Sequence, residues 1–151
     1  MKQAIIQARF LILFLVCKSI YGQQTSTLIT ENAFLGISCS KTVPRSAMYG
    51  QNFIKTLAAL VVHADLGHLS GSSTEGSDAE AAQGLYYCRG SDTVSANECA
   101  ACVRNVTSGL ADSVECATGN SAIVWRGFCT VQVANFAIIG QLQTEPKNVR
   151  P

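Results

Sequence analysis

The chain has 151 residues, of which 48% are hydrophobic and 14% charged, with a formal net charge of +1. Those proportions describe one globular domain with enough apolar residues to bury a core. They exclude the basic footprint of a nucleic-acid binder and the acidic bias of a disordered tail.

Met1 to Arg9 carry Lys2 and Arg9 and no acidic residue, and Phe10 to Cys17 is an unbroken apolar run of eight. A cationic start followed by a short apolar run reads as a secretory signal peptide over residues 1–22, with cleavage after Gly22. The run is too short to cross a bilayer, which takes about 20 apolar residues, and it lacks the amphipathic face of a core helix. Cleavage removes Cys17 with Lys2, Arg9 and Lys18, so eight basic residues face ten acidic ones and six of the seven cysteines remain. These are Cys39, Cys88, Cys99, Cys102, Cys116 and Cys129. An even set behind a signal peptide reads as a disulfide framework made in an oxidising compartment, with the pairing left open.

Residues 23–32 form a polar lead-in, and Ala33 to Cys39 reads as a short strand with Phe34 or Leu35 inward. Pro44 and Arg45-Ser46 mark a turn. From about Gly50, the spacing of Phe53, Leu57, Leu60, Val61 and Ala64 predicts an amphipathic helix that Gly67 ends. Its other side carries Lys55 as the sole cation, so the apolar face suits a core rather than a membrane surface. Ser70 to Asp78 holds turn formers and no apolar residue, and is expected to be a mobile loop. Gly84 to Cys88 reads as a strand.

Ser95-Ala96-Asn97-Glu98 has the form of a capping box. A second helix therefore starts near Ala96 and aligns Cys99, Cys102, Val106 and Leu110 along one side. Ala122 to Trp125 and Phe128 to Val133 are β-rich runs about Arg126-Gly127, a hairpin. Phe136 to Ile139 is too short to span a membrane, and residues 135–151 are expected to be a flexible tail. Strands on either side of two helices, without βαβ alternation, predict an α+β domain: an antiparallel sheet with two helices on one face.

Cys99-x-x-Cys102 admits three readings. Zinc binding needs free thiolates, which an oxidising compartment removes, so no metal is expected. A thiol–disulfide exchange site needs a lowered thiolate pKa at an exposed helix start; Cys99 stands in the first turn, but four other cysteines are available as partners. Structural disulfides are the reading adopted, since two cysteines three apart on a buried face point at neighbouring elements. His63 and His68 flank the end of the first helix, where a histidine ordinarily satisfies the helix dipole. Asp112 and Glu115, three apart, read as a solvated face rather than a glycosidase pair. With no GxSxG, HExxH or phosphate-cradling glycine motif, the chain reads as non-enzymatic and without a cofactor. Asn105-Val106-Thr107, inside the second helix, is the only N-glycosylation sequon.

Taken in order, Gly84-Leu85-Tyr86-Tyr87-Cys88-Arg89-Gly90, Asn97-Glu98-Cys99-Ala100-Ala101-Cys102-Val103, Cys116 and Ala122-Ile123-Val124-Trp125 before Cys129 resemble the ginkbilobin-homologous, or stress-antifungal, domain of plant secreted cysteine-rich proteins. Tyr49 to Phe53 agrees more loosely, and the likeness spans Ala33 to Ala134. It implies about five antiparallel strands packed on two helices and three disulfides, Cys39–Cys116, Cys88–Cys99 and Cys102–Cys129. The family usually spaces its second and third cysteines more closely; here they enclose ten residues, Arg89 to Glu98. Ginkbilobin-type members bind mannose through an asparagine after the first cysteine, an arginine beyond the fifth and a glutamate beyond the sixth. Those positions fall on Ser40, Ile123 and Ala134. A sugar site must replace the hydrogen bonds that each hydroxyl makes to water, and Ile123 and Ala134 offer none, so mannose binding is not expected.

The resemblance thus implies a secreted, apoplastic defence or stress binding module, with a cell-wall glycan or a protein as ligand and no nucleic acid or membrane span. The competing expectations are an interaction module that forms homo- or heterodimers through its sheet and a secreted thiol oxidoreductase using Cys99 and Cys102.

Overall fold

A computed structural model describes residues 32–40, 46–89, 92–113, 116 and 119–141. The proposed signal peptide, the Pro44 turn, Glu115 and the end of the tail lie outside the described residues. The elements run β1 (Phe34–Cys39), α1 (Ala47–Asp65), β2 (Ser70–Glu75), a 3-10 turn (Asp78–Glu80), β3 (Ala82–Cys88), α2 (Ala96–Asp112), β4 (Ser121–Arg126) and β5 (Cys129–Ala134).

Both helices begin on a serine whose side chain replaces a missing intrahelical partner. Ser46 Oγ accepts from the Tyr49 amide at 3.0 Å, which starts α1 three residues before the apolar periodicity indicates. At the far end Gly67 takes φ +90°, a conformation favourable only without a side chain, and its amide donates to the Ala64 carbonyl. Ser95 Oγ accepts from the Glu98 amide at 3.3 Å while Glu98 Oε2 accepts from the Ser95 amide at 2.8 Å, completing the capping box of α2. The Ser95 hydroxyl first, and its amide second, hold the Glu98 carboxyl below the usual carboxylate range. A carboxyl whose folded pKa is depressed stabilises the fold above its unfolded pKa and loses that contribution as pH falls through the folded value. Ser95→Ala removes the N-cap hydroxyl and is expected to lower stability near neutral pH. The gap between the two proteins' urea midpoints should narrow as the buffer is taken below pH ~4, where glutamate protonates.

The five strands lie in the order β1-β4-β5-β3-β2, each antiparallel to its neighbour. Alternation along the strands gives the sheet two faces. Ala82, Tyr86 and Cys88 of β3, Ala122 and Val124 of β4, and Cys129, Val131 and Val133 of β5 join Phe53, Leu57 and Leu60 of α1 and Val103, Val106 and Leu110 of α2 in the main core. Helix α1 comes very close to this face. A Cβ at Gly84 would stand 2.4 Å from Thr56 Cγ2, and one at Gly71 would stand 2.7 Å from Tyr86 Cε1. Thr56 Oγ1 donates to the Ala82 carbonyl at 3.0 Å, so the buried hydroxyl is satisfied where the layers meet.

Three disulfides tie the layers together. Cys88–Cys99 joins β3 to the start of α2, Cys102–Cys129 joins α2 to β5, and Cys39–Cys116 joins β1 to the segment after α2. The α+β class and the sheet on two helices are as the residue pattern predicts.

Three expectations need correction. Ser70–Glu75 is an edge strand paired along its length with β3, not a mobile loop. Phe34 and Leu35 both stay exposed, since β1 is the opposite edge strand and its register shifts between Phe34 and Gly36. The first part of the expected tail is built into the domain: the Asn135 amide donates to the Asn120 carbonyl, and Ile138 is buried. No helix among the described residues is long and apolar enough to cross a membrane.

Candidate functional site

The strand positions that do not enter the helix-packed core project to the second face of the sheet. At its centre stands Gln132 of β5, opposite Leu85 of β3 on one side and Ile123 of β4 on the other. Thr130 and Ala134 flank it along β5, Trp125 follows Ile123 along β4, and Ser38 of β1 lies beyond Ile123. Gln132 is 8% exposed, yet its Oε1 has no hydrogen-bond partner. A buried acceptor without a donor costs about 1–3 kcal/mol in a closed fold.

The chain after β5 crosses part of this face. Ile138 packs on Leu85 and Ala134, and its amide donates to Gln83 Oε1 at 3.3 Å. Beside it, Ile139, Gly140, Tyr87, Ser70 and Ser72 line a groove of about 240 Å³. Phe136, Ile139 and Tyr87 are each at least two-fifths exposed, an apolar rim around the buried centre.

The fold brings Ser40, Ile123 and Ala134 together on this face. The Ser40 amide donates to the Ser121 carbonyl at 2.9 Å, Ser121 stands opposite Ala134, and Ile123 follows two residues on. The side chains of Ile123 and Ala134 offer no hydrogen-bond donor or acceptor at this place. The other singled-out residues do not converge. His63 is half-buried on α1 and His68 is exposed beyond it, its amide donating to the His63 carbonyl at 3.4 Å and its own carbonyl accepting from the Tyr86 hydroxyl at 2.9 Å. Burial pushes the Tyr86 phenol above its usual pKa. Cys99 and Cys102 belong to different disulfides, Asp112 is exposed, and no group of three or more metal-ligating side chains occurs among the described residues. Gln132 was not singled out from sequence, although a polar residue between Val131 and Val133 in an apolar strand is a visible signal.

Residues 38–135 match the model of the salt stress response/antifungal family. The chain belongs to this family. It is 30% identical over 131 residues to plasmodesmata-located protein 6 of Arabidopsis thaliana, covering 85% of this chain and 44% of the relative. Two crystal structures of tandem DUF26 ectodomains share its fold, both from Arabidopsis thaliana cysteine-rich receptor-like proteins. PDLP8 superposes with a TM-score of 0.64 at 19% identity over 73% of this chain and 52% of that one. PDLP5 superposes with a TM-score of 0.62 at 18% identity over 72% and 53%. The chain thus spans about half the length of the relatives it matches. The family match ends at residue 135, so Ile138, and Ile139 and Gly140 at one side of the groove, lie just past the matched segment.

Proposed function

We propose that this family member is a secreted, non-enzymatic module of the plant apoplast that binds another protein domain through the second face of its sheet. The observation that carries this reading is Gln132: a nine-tenths-buried carboxamide with an orphan oxygen, between Leu85 and Ile123 on a face that no described helix covers. The partner is a second domain of the same fold. Two solved structures that share this fold are tandem ectodomains, in which domains of this kind stand together in one chain. A largely apolar face with exposed aromatic and aliphatic side chains beside it suits a protein interface better than a sugar site, which needs several convergent polar groups. The ligand is accordingly not mannose, since Ile123 and Ala134 stand where its hydroxyls would need partners. The net charge near −2 after cleavage also opposes a cationic, membrane-lytic route to any antifungal action.

Sedimentation velocity on the secreted chain over micromolar to submillimolar concentrations tests the reading. A concentration-dependent dimer is expected, and Gln132→Glu, which places a charge on the buried face, should abolish it. Gln132→Leu removes the orphan acceptor and is expected to leave the monomer as stable as before or ~1 kcal/mol more so. A monomer at every concentration, alongside saturable binding to a cell-wall polysaccharide, would replace this reading with a glycan-binding one.

A further inference from the structure

We propose that Asn105 carries an N-linked oligosaccharide, and that it is attached before α2 folds. The inference rests on the proposed entry of the chain into the secretory pathway.

Helix α2 buries Cys99, Cys102, Val103, Val106 and Leu110, which fixes its inward direction. Asn105 lies away from that stripe and is exposed, as are Ala101, Ser108 and Asp112 on the same outer side. An oligosaccharide on its carboxamide nitrogen therefore projects into solvent without displacing any packed side chain. Thr107, the other half of the sequon, is 5% exposed, and its hydroxyl donates to the Arg104 carbonyl at 3.1 Å. At 3.6 residues per turn, residues two apart stand about 200° apart around a helix, whereas in an extended chain they share a side. An enzyme that must hold the asparagine and the threonine hydroxyl together cannot engage them in the finished helix, so the transfer takes place on the extended chain.

The disulfides set the time available. Cys102 pairs with Cys129, 27 residues later, so α2 cannot be locked to β5 until Cys129 has followed it into the lumen. In the transfer, a bond forms between Asn105 Nδ2 and the anomeric carbon of an oligosaccharide carried on a polyprenyl pyrophosphate. The anomeric carbon–oxygen bond breaks, the carrier pyrophosphate leaves, and the amide loses one proton. Folding then places the glycan on the outside of the helical layer. The second sheet face stays clear of it.

The test is to express the full chain in insect cells, once with its own first 22 residues and once with a strong foreign signal in their place. The secreted proteins are measured by intact mass before and after treatment with an N-glycosidase. A glycosidase-sensitive mass increment is expected, absent from Asn105→Gln and Thr107→Ala and retained in part by Thr107→Ser. Asn105→Gln should keep the wild-type melting temperature because the residue is exposed. With the foreign signal the chain enters the lumen regardless, so a secreted wild-type protein without a glycan in that arm overturns the proposal. Failure of the natural leader alone tells against the secretion reading and not against this one. In a second arm, microsomal transferase is offered the oxidised, folded protein made without glycan and the same protein reduced and unfolded. Modification of the unfolded chain alone is expected. Equal modification of both would refute the order of events.

Discussion

Replacing Cys102 and Cys129 together by alanine is expected to lower the melting temperature by roughly 10–25 °C, a stability loss of about 3–4 kcal/mol. The two cysteines are 27 residues apart, and a closed loop of that length accounts for about 3.5 kcal/mol of unfolded-chain entropy. Both are essentially inaccessible to water, at 0% and 1% exposure, so the variant also leaves underpacked space between α2 and β5. The double variant avoids stranding one thiol beside two other disulfides, where exchange would scramble the pairing. Differential scanning calorimetry without reductant measures the shift. An unchanged melting temperature would show that packing alone holds α2 on the sheet. Cys39–Cys116 closes a longer loop, with partners 77 residues apart, but it anchors an edge strand. Its loss should release β1 locally, giving faster amide exchange in Phe34–Cys39 than in β5.

Phe53→Ala is expected to cost about 3–5 kcal/mol, comparable with the disulfide. Phe53 is fully buried at the centre of α1, its ring 6.2 Å from that of Tyr49 and tilted by 59°. The Tyr49 hydroxyl donates to the Asn120 carbonyl at 2.8 Å, so the neighbouring ring is pinned and cannot swing into the space left behind. Chemical denaturation should move the midpoint without altering the slope, since the unfolded surface is nearly unchanged. Met48→Ala, on the exposed side of the same helix, is the control and should stay within about 0.5 kcal/mol of wild type. A comparable loss in both variants would mean that helix propensity, not burial, governs α1.

Some elements declare themselves locally. Helix α2 could be read almost residue for residue because its start is marked by a capping box whose two hydrogen bonds need only four adjacent residues. Helix α1 was legible in its body, where Phe53, Leu57 and Leu60 recur at helical spacing, but not at its start, which depends on the Ser46 cap. Strand β2 was hidden. Ser70 to Glu75 has the composition of a loop because its glycine and serines are shaped by neighbours distant in sequence: α1 and Tyr86 leave no room for a Cβ at Gly71, and β3 supplies the partner edge. The candidate site was hidden for the same reason. Gln132 is a polar residue among valines in sequence, and only the register of three strands places it between Leu85 and Ile123 with an unmet acceptor.

The amino-acid sequence by itself determined the α+β class, the two helices, the β4–β5 hairpin and, through the order and spacing of its cysteines, the resemblance to a stress-antifungal domain. These follow from interactions between residues a few positions apart. Only the tertiary structure decided which polar segment becomes an edge strand, that Ile138 closes over Leu85 and Ala134, and that Ser40, Ile123 and Ala134 share one face with an orphaned Gln132. Each of these depends on strand pairing and layer packing between residues far apart in the chain, which no local pattern encodes.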